Sequence, residues 1–216
     1  MVSAVEFEAR ETDRLKAFSD GVIAIVITLL VLEITVPELP PGAAVTTLPG
    51  VVFEQWPEFF GFTLSFLVVG LYWTLHRRVF LYIDRHSKGV LWLNLVFLLF
   101  VAFIPYAVSM FTTYFTTFGV VFYALVQAVT GLSLMVLWAY SMRKSLFRDG
   151  LPTHIAQVQG LRFLATPVIF FVSIPLAIVA PLFGVLSWLL VLPVNAAFES
   201  RLASDLGDRP IEVGGE

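Results

Sequence analysis

The chain contains no cysteine. That excludes disulfides, thiolate nucleophiles and cysteine-ligated metals. Charge is also scarce: Asp, Glu, Lys and Arg make up 13% of the 216 residues, against ~25% in ordinary soluble domains. The histidines are His76, His86 and His154, and their spacing forms no H-E-x-x-H or comparable ligand motif. No phosphate-cradling G-x-x-x-x-G-K-[ST] run occurs, and no internal repeat is evident. Apart from Asp20 and His76, no pair of carboxylates, Ser–His set or metal-ligand cluster shares one depth in the chain. An enzyme is not expected, and neither are a cofactor, a fixed metal or a nucleic-acid partner. The opening MVSAVEFEARETDR is acidic and amphipathic, so no cleavable signal peptide is expected and the first apolar helix is expected to direct insertion.

What is abundant is hydrophobicity, at 58% of residues with a mean hydropathy of +0.89. A helix that crosses ~30 Å of hydrocarbon needs about 20 apolar residues. Stretches 14–36, 53–83, 89–111, 117–142, 157–180 and 182–200 meet that requirement. The sequence therefore predicts an all-α integral membrane protein of six transmembrane helices, a single domain over 1–204 followed by a short disordered tail over 205–216. The last two spans are separated only by Pro181 and its neighbours and predict a tight hairpin. Pro105, Pro167, Pro175 and Pro193 fall inside spans, where each removes a backbone donor and favours a kink. Trp92, Trp138 and Trp188 are expected to pack or to anchor at the interfaces, and Tyr106 and Tyr114 to join an aromatic belt.

The basic residues orient these spans. Arg10, Arg14 and Lys16 precede or open the first. Arg77, Arg78, Arg85 and Lys88 surround the turn between the second and third. Arg143, Lys144, Arg148 and Arg162 surround the turn between the fourth and fifth, and Arg201 and Arg209 follow the sixth. These are all 13 Lys and Arg of the chain, and every one falls on one side. The positive-inside rule makes that side cytoplasmic, with both termini inside a plasma-membrane protein. The opposite face carries Glu33, Glu38, Glu54 and Glu58 and no basic residue. Acidic groups at a pore mouth favour cations, but acids contribute little to topology and sit on either side. The long outer loop 37–52 is rich in Pro and Gly and is expected to lack regular structure.

The most informative segment is the first span, RLKAFSDGVIAIVITLLVLEITV, with an ordered polar head at Arg14, Phe18, Ser19 and Asp20. Asp20 lies ~9 Å past Arg14 along a helix axis, a depth similar to that of Asn94 past Lys88. His76, with Trp73 one turn deeper, belongs to the same layer. Polar side chains in a membrane must find partners, and these are candidates for one another. Lys16, four residues before Asp20, is a further candidate partner. Asp20 and His76 can be read as a proton relay or ion site, or as an interhelical lock. The lock is favoured, because Asp20 lies about 140° around the helix from Ile25. If the face of Ile25 lines a pore, Asp20 points back into the subunit. Beyond Gly21, Ile25, Thr28, Leu29 and Leu32 form one stripe at i, i+3, i+4 and i+7. Periodicity alone makes these lipid-facing or packed residues rather than a pore lining.

The R-x-x-x-F-S-D head resembles the signature of the transmembrane protein 175 family of bacterial, endosomal and lysosomal potassium channels, which lack a TVGYG filter. W-x-x-H at Trp73 and His76, and W-L-N ending at Asn94, support the resemblance, which extends over nearly the whole chain. It implies a pore-forming homotetramer, with helix one of each copy lining a central four-fold pore. By position, Ile25 becomes the narrowest ring, with Leu29 and Leu32 as further apolar layers and Thr28 as a nearby hydroxyl. Phe18, Ser19 and Asp20 become the tie between helix one and helices two and three, with Ser19 as donor and Phe18 as packing wedge. The implied partners are other copies of the chain, the lipid bilayer and permeant potassium ions.

Such a pore gates by dewetting of apolar constrictions. A passing ion sheds part of its hydration shell and receives no carbonyl ligands in return. Potassium holds water less tightly than sodium, so a modest preference for potassium is expected. The alternatives are a proton-permeable channel and a proton-coupled secondary transporter that uses Asp20 and His76. Against the transporter, paired broken helices and polar midplane residues are not evident. The basic loops suit anionic lipid.

Overall fold

A computed structural model describes residues 4–39, 41–42, 44–83, 87–147 and 153–207 of the chain. Eight α-helices account for most of them: α1 (Ala4–Leu29), α2 (Leu48–Glu54), α3 (Trp56–Tyr82), α4 (Lys88–Thr113), α5 (Thr117–Arg143), α6 (Thr153–Val179), α7 (Pro181–Trp188) and α8 (Val191–Gly207). Six stretches are long and apolar enough to cross a membrane: 11–33, 56–82, 88–113, 117–143, 156–179 and 181–200. They coincide with the six spans expected from hydropathy, and the protein is a multi-pass membrane protein. α8 continues to Gly207, so residues 205–207 extend the last helix rather than begin a tail. The rest of the expected tail, with Arg209, lies outside the described residues, as do Arg85, His86 and Arg148.

The helix ends follow local chemistry. Ser87 caps α4 by accepting from the Gly89 amide at 3.3 Å. In the first turn of α5, a side chain on Gly119 would meet the Tyr114 carbonyl oxygen at 2.0 Å, so only glycine lets the preceding chain approach this closely. Pro105, Pro167 and Pro175 stay within unbroken helices. Pro193 does not act alone: the sixth span divides into α7 and α8 at Leu189 and Leu190. A proline at 193 has no amide to give the Leu189 carbonyl. The amides of Leu189 and Leu190 instead tighten onto Leu186 and Ser187, at 3.3 and 3.1 Å. The expected hairpin is present, with Ala180 alone separating α6 from α7.

The outer loop departs from expectation. Its second half is regular: a 3-10 turn at Val45–Thr47 leads into α2, with a proline in its first turn. Proline is pre-organised for a helix start, where its missing amide is not needed. Beyond α2, the ends of the first two spans that this loop connects are joined. Gln55 Nε2 donates to the Thr35 carbonyl at 2.6 Å, and the Thr35 amide donates to Glu58 Oε2 at 3.2 Å.

α4, α5 and α6 form the densest part of the bundle. Gly131 lets α5 approach α6 closely, since a Cβ there would meet Pro167 Cδ at 2.9 Å. Trp188 is fully buried against Phe111, Tyr123 and Phe170, and its indole N–H donates to Ser173 Oγ at 2.9 Å. Trp138 is likewise buried, between Phe147 and Phe163. Both are packing residues, whereas Trp92, Tyr106 and Tyr114 are exposed. α1 lies at the edge of this block and packs on α3 and α4.

Candidate functional site

α1, together with the 3-10 turn Leu30–Glu33 that continues it, has two unlike faces. Leu15, Ser19, Ile23, Val26 and Leu30 are buried, at steps of four, four, three and four residues. These steps keep one face of a 3.6-residue helix against its neighbours. Phe18, Ile25, Thr28, Leu29 and Leu32 are exposed along the other face. Ile25 is 59% exposed and Leu32 71%, whereas Ile23 and Leu30 are at 1% and 0%. The four residues of the expected stripe thus lie together on a surface left uncovered by the described residues. The Thr28 hydroxyl donates to the Ile25 carbonyl at 2.7 Å, which satisfies it within the helix.

The buried face is fastened by a directed chain of hydrogen bonds across three helices. The Leu15 carbonyl can only accept, so the Ser19 hydroxyl donates to it, at 2.8 Å. The Ser19 oxygen then accepts from Asn94 Nδ2 at 2.9 Å. Asn94 Oδ1 therefore faces His76 Nε2, 2.8 Å away, and the imidazole must carry its proton on that nitrogen. Ser19, Asn94 and His76 are all buried. His76 is stacked on Phe97 at 5.3 Å and lies 4.7 Å from Phe80, ring centre to ring centre. Every polar group that α1 buries here has a partner, as a membrane interior demands.

Asp20 sits at the edge of this arrangement. Its carboxylate accepts from the Trp73 indole at 2.8 Å, while the residue itself remains exposed. Asp20 therefore turns toward its own subunit, as the helical geometry predicts, but Ser19 and not Asp20 joins the buried chain with Asn94 and His76. Two other expectations are corrected. Lys16 pairs with Asp13 at 3.2 Å rather than with Asp20, whose carboxylate takes the Trp73 indole N–H instead. Phe18 is 53% exposed and shares the side of Ile25, seven residues on, so it is no wedge within the subunit. Arg14 pairs locally with Glu11 at 2.8 Å.

Sequence reading missed a second set of buried polar residues. Ser65 and Tyr123 share a hydrogen bond at 3.0 Å, and the Tyr72 hydroxyl donates to the Gln127 carbonyl at 2.6 Å. Asn195 Nδ2 donates to Thr166 Oγ1 at 3.0 Å. Arg162, placed by sequence among the residues flanking a turn, is buried inside the fifth span and contacts Glu199. The available signal was polarity within otherwise apolar runs, which marks groups needing partners but does not say which.

Comparison with known proteins converges on one family. Residues 14–105, which contain the stripe and the whole buried chain, match the model of the endosomal/lysosomal potassium channel TMEM175. A protein of Streptomyces collinus named as a potassium channel is 35% identical over 184 residues, covering 79% of this chain and 87% of that one. The endosomal/lysosomal proton channel TMEM175 of Bos taurus is 38% identical over 105 residues, which cover 46% of this chain and 22% of the relative. Among solved structures, the lysosomal potassium-selective channel TMEM175 homolog from Chamaesiphon minutus superposes with a TM-score of 0.77 at 25% identity, over 89% of this chain and 98% of its own. With its signature helix, its six spans and a relative matched over most of both lengths, the chain belongs to the TMEM175 family.

Proposed function

We propose that the protein is a potassium channel, in which several copies bring the uncovered face of α1 to a common axis. The observation that carries this reading is the asymmetry of α1: its polar face is bonded into the subunit, and the stripe of Ile25, Thr28, Leu29 and Leu32 is left uncovered. The family, with relatives named as potassium channels, supports the permeant ion. A pore on a symmetry axis needs closed rotational symmetry, and the number of copies in this reading is the four that the family resemblance implies. The basic end of the bundle faces the cytoplasm in this reading, with both termini inside and the channel in the plasma membrane.

In this arrangement Ile25, Leu29 and Leu32 form successive apolar rings, and Thr28 offers a hydroxyl between them. Apolar rings admit ions only when wetted, so the constriction serves as both gate and filter. Selectivity arises from the difference in dehydration cost between potassium and sodium and is modest. Asp20, Trp73, Ser19, Asn94 and His76 do not contact the ion; they fix the angle of α1 and so the diameter of the rings. Proton permeation is the second reading, favoured by the naming of the cattle relative as a proton channel.

Single-channel recording of the purified protein in a planar bilayer, with potassium on one side and sodium on the other, tests the proposal. Discrete steps that reverse toward the potassium equilibrium potential are expected. Ile25→Ala should raise conductance and weaken selectivity, and Ile25→Asn should do so more strongly. Solute-coupled flux without discrete steps would overturn the channel reading, and a reversal potential that follows a pH gradient would favour protons.

A further inference from the structure

A second charged cluster lies away from α1, between α3, α6 and α8. Arg162 sits six residues inside the span 156–179, so ~9 Å along its axis, and is 2% exposed. Its Nη2 donates to Glu199 Oε2 at 3.1 Å. Its Nε and Nη1 are buried and meet no partner among the described residues. Arg78 Nη2 donates to the other oxygen of Glu199 at 2.5 Å, so one carboxylate serves two guanidiniums. Arg77 adds a third positive charge to the same cavity, whose volume is about 570 Å³, with Leu81 and Leu192 among its apolar lining.

Three positive charges facing one negative charge leave this pocket strongly attractive to anions. A guanidinium held inside a membrane span with two donors unclaimed is costly unless something else completes it. The planar fork of arginine matches phosphate oxygens, which accept two parallel hydrogen bonds. Position narrows the ligand further. Arg78 lies four residues before the end of α3, and Glu199 one residue before the end of the span 181–200. Both ends belong to the basic side of the bundle, at the level of lipid headgroups, and the apolar lining suits the part of a lipid beneath its phosphate.

We propose that this cavity binds a phosphate-bearing anion, with Arg78 and Arg162 gripping the phosphate and Glu199 acting as the internal counter-charge that the ligand displaces or shares. The site is separate from the α1 stripe, and its occupancy does not depend on ion permeation. It ties α3, which anchors α1 through Trp73 and His76, to the last two spans. Binding there stiffens the frame that holds α1.

The test is lipid retention by the purified full-length protein. Protein in neutral detergent is incubated with mixed micelles of phosphatidylglycerol and phosphatidylcholine, and the bound lipid is quantified by mass spectrometry. Inorganic phosphate is titrated separately by calorimetry and as a competitor. The wild type should retain phosphatidylglycerol preferentially. Arg78→Gln and Arg162→Gln should each weaken retention about tenfold, the scale of one lost hydrogen bond to a charged group. Glu199→Gln should retain the lipid at least as well as the wild type, because the competing carboxylate is gone. Competition by millimolar phosphate would identify a free anion as the ligand; absence of competition would identify the lipid headgroup. Arg78 is the more exposed arginine, so its variant keeps the test valid if Arg162→Gln does not fold. Equal retention of both lipids by the wild type with no phosphate binding, or unchanged retention in Arg78→Gln, would overturn the proposal.

Discussion

The two faces of α1 differ in both chemistry and cover. One face carries a serine whose oxygen bonds Asn94 of α4, and Asn94 in turn bonds His76 of α3. The other carries isoleucine, leucine and a threonine satisfied within its own helix, and nothing among the described residues covers it. A protein that only needed α1 as a sixth strut would need no such polar chain, since apolar packing against lipid-like surfaces gives little orientation. Hydrogen bonds are directional, and in a low-dielectric interior their loss is expensive. The buried face therefore fixes the rotation of α1, and that rotation decides what the uncovered face presents.

The comparison is broken most severely by a pair of leucines two residues apart. Leu30→Ala removes a fully buried side chain and should cost about 2–5 kcal/mol, read as a lowered melting temperature in detergent. Leu32→Ala, on the uncovered face, should stay within about 0.5 kcal/mol. Next comes Asn94→Leu, which strands the His76 N–H and removes the donor to Ser19. Each buried group left unsatisfied costs about 1–3 kcal/mol, and the same melting assay should register it. Because α1 would lose its angular reference, current amplitudes should also become heterogeneous, a result that Leu32→Ala would not produce through stability. The smallest effect belongs to Trp73→Phe. Asp20 is exposed and water replaces the lost donor, so the cost should be about 1 kcal/mol or less. A large loss of stability in Trp73→Phe, equal to that of Asn94→Leu, would show that Asp20 belongs to the lock as much as Ser19 does.

Much of this was legible in the sequence because the membrane imposes strong rules. Length and hydropathy located all six spans, since only helices of about that length satisfy their own backbone across hydrocarbon. Helical periodicity placed Ile25, Thr28, Leu29 and Leu32 on one side, and depth arithmetic gathered Asp20, Trp73, His76 and Asn94 in one layer, whereas Ser19 entered only through the family resemblance. Partner choice was not legible. Asp20 and Ser19 are neighbours in sequence but point about 100° apart, so one residue decides which of them meets Asn94. Lys16 lies within reach of both Asp13 and Asp20, but Asp20 meets Trp73, 53 residues on, and Lys16 is left with Asp13. Phe18 was misjudged because the sequence does not say which side of α1 faces outward. The Arg162–Glu199 contact joins residues 37 apart on different helices, and no local pattern announces it. The helical second half of the outer loop was hidden by its Pro and Gly content, which marks turns but equally marks helix starts.

The absence of cysteine, which excluded so much at the outset, supplies the decisive measurement. Single cysteines are introduced at Ile25, Thr28 and Leu32, and at Ile23, Val26 and Leu30, and each variant is exposed to a charged, membrane-impermeant thiol reagent during single-channel recording. A charged reagent travels through water and not through lipid, so it separates a wetted pore face from a lipid-facing one. The account predicts that current is altered irreversibly at 25, 28 and 32 and is untouched at 23, 26 and 30. Unmodified currents at 25, 28 and 32, or modification at the buried positions instead, would contradict the assignment of the uncovered face of α1 to the conduction path.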